Sequence, residues 1–306
     1  MRYETETFDF PDDYDGRVVA TLVKAAASPE SSRAVLYIHG YVDYFFQDHL
    51  AREFVSRGFN FYAVDLRKYG RSLLAGQHPD FAVSMREYYP DIDRGLERIV
   101  GDGNDDITLL GHSMGGLLAA LYAVDGAMRG CVDRVVLNSP FLRFNARGYK
   151  RRIELPLAAG LSRLFPFIHS KSELPDVYAQ SIHKDCKGEW DFDTRLKPVE
   201  GIPLYWSWLR AVRTAQKRVR RGLDIRVPVL VMSSDRSFYG ERWSDEAMSS
   251  DAVLNVDDIK KLAHGLGAAV AYIRIEEGMH DLFLSRKEVR EKAFGVMFDW
   301  IGKQSK

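Results

Sequence analysis

The sequence predicts an α/β protein with a mostly parallel central sheet flanked by helices. Three observations carry this expectation. Short apolar runs alternate with amphipathic segments over residues 1–141 and again over 225–306. Those runs are nearly continuous in apolar character, as strands buried on both faces require. At 306 residues, 46% hydrophobic and 28% charged, the chain can bury one large core.

The elements follow in order. "RVVATLVKA" reads as a strand, and "AVLYIHG" as a short buried strand stopped by Gly40. "DHLAREFVSRG" places Leu50, Phe54 and Val55 on one helical face and ends at Gly58. "FNFYAVDLRKYGRS" is the next strand with its loop, and Ile92, Leu96, Ile99 and Val100 form a helical stripe closed by Gly101. "DDITLLGHSMGGLLAALYA" runs from strand through turn to helix, and "VDRVVLNSP" is another strand. From Leu142 to Asp224 the rhythm breaks into helical runs punctuated by Pro156, Pro166, Pro175, Pro198 and Pro203. This stretch carries 17 Lys and Arg against 9 Asp and Glu, although the whole chain has a formal net charge of zero. The shift marks 142–224 as an insertion between two halves of one core, 1–141 and 225–306. The sheet resumes at "RVPVLVMSS" and "AVAYIRIEEG". A last helix follows, with Val289, Ala293, Val296, Met297, Trp300 and Ile301 on its face.

Composition excludes several functions. Zero net charge argues against a nucleic-acid binder. Two cysteines, Cys131 and Cys186, make neither a disulfide framework nor a metal cluster. The acidic, polar start "MRYETETFDFPDDYDG" lacks a secretory signal, and no uninterrupted apolar stretch could span a bilayer. A soluble cytoplasmic protein is the expectation.

"GHSMG" fits G-x-S-x-G with a strand before it and a helix after it. A sharp strand-to-helix turn exposes Ser113, and its flanking glycines leave room for the adjacent chain. Ser113 is therefore the candidate nucleophile. A serine hydroxyl needs a base. His280 follows the last strand at the same sheet edge and is the candidate. An acid must then orient the imidazole. Asp251, just ahead of a helix beginning near Asp257, is preferred, and Asp235, at the end of "PVLVMSS", is the alternative. The N–H groups of Tyr41, after Gly40, and of Met114 are the candidate oxyanion donors. No metal or organic cofactor is required.

These residues resemble the α/β-hydrolase superfamily, and within it the group of monoacylglycerol lipases, lysophospholipases and serine aminopeptidase-like hydrolases. The likeness lies in "HGY", "VDLRKYGRS", "GHSMGG", "DAVL" and "GMHDL", in the order Ser, Asp, His. It implies the α/β-hydrolase fold, Ser113, Asp251 and His280 as triad, and a mainly helical lid at 142–224. The sequence departs from the group's pattern in the long segment between Asp235 and Asp251.

The insertion contains "IELPLAAGLSRLFPFI" and "IPLYWSWLRAV", an apolar cover suited to an acyl chain. The expected partner is a small-molecule acyl ester, with lipid monoesters preferred and short-chain carboxylesters next. "RTAQKRVRRG" suits a solvated helix face or transient contact between the lid and an anionic membrane surface. A serine aminopeptidase would need an acidic anchor, for which Glu154, Glu173 and Glu189 are available. A ligand-binding protein that has kept the pocket is a further alternative.

Overall fold

The computed structural model describes residues 1–27, 31–145, 157, 160–171, 176–240 and 242–304. Among these, one sheet of eight strands organises the chain. Its strands are β1 (Glu4–Asp13), β2 (Gly16–Ala25), β3 (Arg33–Ile38), β4 (Asn60–Asp65), β5 (Asp106–His112), β6 (Arg134–Asn138), β9 (Val229–Ser234) and β10 (Val270–Ile275). The spatial order is β1-β2-β4-β3-β5-β6-β9-β10. β1 with β2 and β2 with β4 are antiparallel, and every other pairing is parallel.

Side chains alternate between the two faces, as the period of two requires. On β3, Ala34, Leu36 and Ile38 join one apolar cluster, while Val35 and Tyr37 join the other. The first face is covered by α2 (Tyr89–Gly101) and α3 (Met114–Asp125), whose residues Ile92, Leu96, Ile99, Leu117 and Leu121 pack there. The second is covered by α1 (Asp48–Ser56) through Leu50, Ala51 and Phe54, and by the final helix (Lys287–Gln304) through Val289, Ala293, Met297 and Ile301.

Three details differ from the sequence reading. β1 is a strand, where the sequence suggested only a polar start: its Phe8 is buried, but most of its other residues face solvent at the sheet edge. Val55 is half-buried beside the α1 stripe, and Val100 is exposed where α2 runs past the sheet.

Within 142–224 the described residues form a two-stranded pair, β7 (His169–Ser170) with β8 (Leu204–Tyr205), and two helices, α4 (Asp176–Ile182) and α5 (Trp206–Val219). α5 sets Trp208, Val212, Ala215 and Val219 into the same cluster as α3. Its basic run is partly paired, since Arg218 forms a salt bridge with Asp125 at the end of α3. α6 (Val256–Ala263) starts behind an Asn255 cap, whose Oδ1 accepts from the N–H groups of Asp257 and Asp258. The final helix is thus α7. Cys131 and Cys186 are both free. Among the described residues no helix is long and apolar enough to cross a membrane.

Candidate active site

Parallel strands deliver their following loops to one edge of the sheet, where ligands of open α/β sheets bind. Here the carboxyl ends of β3, β5, β6, β9 and β10 converge on Ser113. The turn from β5 into α3 is tight. Ser113 has φ +52° and ψ −114°, a conformation that non-glycine residues rarely adopt. The glycines around it are sterically required. A Cβ on Gly111 would lie 2.3 Å from the Gly115 carbonyl oxygen, and one on Gly115 would lie 2.2 Å from that of Ile38. Two backbone bonds to the end of β6 secure the turn: Ser113 N–H donates to Asn138 O (3.0 Å) and Phe141 N–H to Ser113 O (2.9 Å).

Ser113 Oγ lies 3.0 Å from His280 Nε2, and His280 Nδ1 lies 3.0 Å from Asp251 Oδ2. All three side chains are buried. The other Asp251 oxygen accepts from the N–H groups of Val253 (2.9 Å) and Leu254 (2.7 Å), which fixes the carboxylate plane. Asp235 stands apart, accepting from Glu277 N–H and pairing with Arg236. Asp251 reaches the histidine because the excursion after Asp235 closes on itself. Asp251 N–H donates to Arg236 O (3.0 Å), and Phe238 N–H donates to Asp251 O (2.8 Å). On the other side of His280, Asn138 donates to the Asp281 carboxylate (2.8 Å) and accepts from Leu282 N–H (3.3 Å), holding the loop after β10.

Met114 opens α3, so its N–H is one of the first-turn donors without an intrahelical acceptor. Tyr41 sits in the loop between β3 and α1, its ring stacked 4.0 Å from that of Trp208. Several fixed contacts shape this loop. His39 Nδ1–H donates to Gly40 O (2.8 Å), while its Nε2 accepts from Leu66 N–H (3.1 Å). Burial lowers the His39 pKa, consistent with this neutral tautomer. The carboxylate of Asp80 accepts from Val42 N–H (2.8 Å), and that of Asp65 from Phe45 N–H (2.9 Å). His112 Nδ1 lies 3.2 Å from Asn138 O, and burial lowers its pKa as well.

Ser113 and His280 open onto a cavity of about 240 Å³, with Phe141, Phe144, Ile182, Leu204, Val253 and Leu254 among its apolar walls. The sequence reading missed two features there. Tyr178, on α4, packs edge-on against His280, ring centres 5.3 Å apart. Lys197 and Asp43 form an ion pair of 2.6 Å at the cavity wall. Asp43 lies two residues past the "HGY" stretch, but nothing near Lys197 in sequence marks it. Of the acids considered for a peptidase, Glu189 pairs with Arg290, and Glu154 and Glu173 lie outside the described residues.

Comparison with known proteins agrees with this architecture. The family model described as "Serine aminopeptidase, S33" matches residues 29–287. Comparison with curated proteins finds no match. Among solved structures, a soluble variant of the Saccharomyces cerevisiae monoglyceride lipase superposes with a TM-score of 0.72 at 15% identity, covering 98% of this chain and 95% of that one. The Paleococcus ferrophilus monoacylglycerol lipase gives 0.67 at 18% identity over the full length of both chains. MenH from S. aureus gives 0.59 at 16% identity, covering 92% of this chain and 98% of that one. At these identities the neighbours establish the fold, and the family match covers most of the chain. The chain is therefore a hydrolase of the serine aminopeptidase S33 family, within the α/β-hydrolase superfamily.

Proposed function

We propose that this hydrolase cleaves carboxylic esters, with lipid monoesters of the monoacylglycerol or lysophospholipid type as preferred substrates. The supporting observation is the hydrogen-bonded chain Asp251–His280–Ser113, opening into a largely apolar cavity. Ser113 Oγ attacks the ester carbonyl as its proton passes to His280 Nε2, and Asp251 stabilises the resulting imidazolium. The N–H groups of Tyr41 and Met114 receive the oxyanion. As the ester C–O bond breaks, the imidazolium protonates the leaving alcohol. Water, deprotonated by the same histidine, then hydrolyses the acyl-enzyme and frees Ser113.

Segment 142–224 acts as a lid over a core of 1–141 and 225–306, supplying Ile182, Leu204 and Trp208 to the cavity. Each acyl methylene buried there contributes about 0.8 kcal/mol. A peptidase is less well supported. Among the described lining residues the one carboxylate is Asp43, and Lys197 already occupies it. A substrate ammonium would have to displace that lysine.

The test is the initial rate on p-nitrophenyl esters from acetate to palmitate, followed by monoacylglycerols, lysophospholipids and aminoacyl anilides. The expected profile peaks at medium or long chains and vanishes in Ser113→Ala. Ester rates no better than that variant's would refute the reading.

The lid also suits contact with an anionic bilayer. Leu157, Leu164 and Phe165 are 62%, 75% and 59% exposed, and Arg163 lines a groove with Arg210, Lys217 and Arg221. Apolar side chains rimmed by cations match the chemistry of a lipid interface. Leu164→Asp/Phe165→Asp is expected to abolish co-sedimentation with phosphatidylglycerol vesicles while sparing p-nitrophenyl butyrate hydrolysis. Unchanged sedimentation would refute the contact.

A further inference from the structure

We propose that Lys197 is a positioning residue: through Asp43 it holds the loop between β3 and α1 against the nucleophile. The inference rests on the ester-cleaving reading above and concerns the loop opposite Ser113.

Lysine is rarely buried, and a charge removed from water persists only with a good partner. The Lys197 side chain is 10% exposed and that of Asp43 2%, with Nζ 2.6 Å from Oδ1. Burial works against the charged Asp43 carboxylate, yet the Lys197 ammonium brings its pKa below the usual carboxylate value. The pair joins two distant parts of the chain at the site.

The surrounding contacts make this junction specific. Asp193 N–H donates to Tyr44 Oη (2.9 Å), and the Phe192 and Phe46 rings lie 4.9 Å apart. Lys197 Nζ sits 5.2 Å from the centre of the Phe46 ring. Residues 192–197 therefore dock along residues 43–46 through polar, aromatic and ionic contacts together.

The loop in turn touches the nucleophile. Asp43 Oδ2 accepts from Gly40 N–H at 3.4 Å, and a Cβ placed on Gly40 would lie 3.3 Å from Ser113 Cβ. The neighbouring anchor Asp65 is balanced from within the core by Arg71 (2.7 Å), whereas Asp43 is balanced from the inserted segment. Without the ammonium, the Asp43 carboxylate would be a buried charge without a counterion. It must then take a proton or turn outward, and in either case the Gly40 contact is disturbed. A displacement of the loop acts on the tetrahedral state more than on bound substrate, because only the former places full charge on the carbonyl oxygen.

The experiment measures kcat and KM on p-nitrophenyl butyrate, and the affinity of an alkylboronic acid that forms a tetrahedral adduct with serine. Wild type, Lys197→Met and Lys197→Arg are compared, with circular dichroism reporting the folded fraction. Lys197→Met is expected to lower kcat about 10- to 100-fold, with KM held within about two-fold and boronate affinity falling in parallel. Lys197→Arg should recover most of both. Unchanged kcat would overturn the proposal. So would a rise in KM alone, which would make the ammonium a ground-state substrate contact, or a loss accounted for by the unfolded fraction. Should Lys197→Met not fold, Lys197→Gln, which keeps a donor for Asp43, carries the same test. Absence of turnover by wild type on every ester would instead sink the proposed ester-cleaving activity, and this inference with it.

Discussion

Gly115→Ala isolates the geometry of the turn that presents Ser113 to the cavity. The added methyl carbon would sit 2.2 Å from Ile38 O and 2.4 Å from His39 O, both backbone atoms at the end of β3. Side-chain Cβ atoms essentially never approach closer than 3.0 Å, so α3 and β3 must part by about 0.8 Å. That displacement separates Ser113 from the β3–α1 loop, the two sides of the reacting centre. Misplacement by about 1 Å costs on the order of 10²-fold in rate. Overpacking costs about 1–3 kcal/mol, against which alanine in a helix regains up to about 1 kcal/mol over glycine. The expected result is a kcat/KM on p-nitrophenyl butyrate lowered about 100-fold, with a loss of stability of about 0–3 kcal/mol in urea. Gly295→Ala is the control. It lies inside α7 with nothing within 4 Å of the new carbon, and should gain about 0.5–1 kcal/mol at full activity. Wild-type kcat/KM in Gly115→Ala would refute the argument that the glycine is there for close approach.

Further outcomes follow from the acids. Asp251→Asn should lower kcat about 10⁴-fold by removing the carboxylate that orients the imidazole, with circular dichroism unchanged. Asp235→Asn should retain wild-type kcat, and a comparable loss there would overturn the assignment. Burial pushes the Asp80 carboxyl well above its ordinary value. A folded pKa above the unfolded one means stability is lost as pH rises from about 4 through the folded value. Asp80→Asn does not titrate, keeps an acceptor for Val42 N–H, and suits the φ of +56°. Its Tm advantage over wild type should therefore widen as pH rises from about 4, and a gap that narrows instead would refute the sign.

Strands buried on both faces were legible because the residues between the first and last of β3, β4, β5 and β6, and all of β9, are apolar or small, and the turn at Ser113 because its glycines are obligatory. β1 was not legible: an edge strand that buries mainly Phe8 leaves little periodicity to read. The sequence favoured Asp251 but left Asp235 as an alternative, because what distinguishes them spatially is the closure of the excursion by bonds from Arg236 and Phe238. The Lys197–Asp43 pair spans 154 positions. No local propensity encodes such a contact, since it exists only once the inserted segment has docked.

The closure beside Asp251 divides its excursion into a stem and a tip. The stem, Arg236–Phe238 against Asp251, sets the carboxylate that faces His280. The tip carries Trp243, whose Nε1–H donates to Ser181 on α4 (3.2 Å), and Ala247, which packs in one cluster with Val177, Tyr178 and Ile182. Under the proposed mechanism, proton transfer and substrate shape would be served by different stretches of one loop. Changes at the tip are free to remodel α4 and its cavity wall while the stem keeps the acid in register. Loop closure adds only about 0.6 kcal/mol per doubling of length, so the tip can also grow or shrink at little cost to the fold. If Asp251 is the triad acid, the excursion is a module through which substrate preference can drift while the chemistry stays fixed.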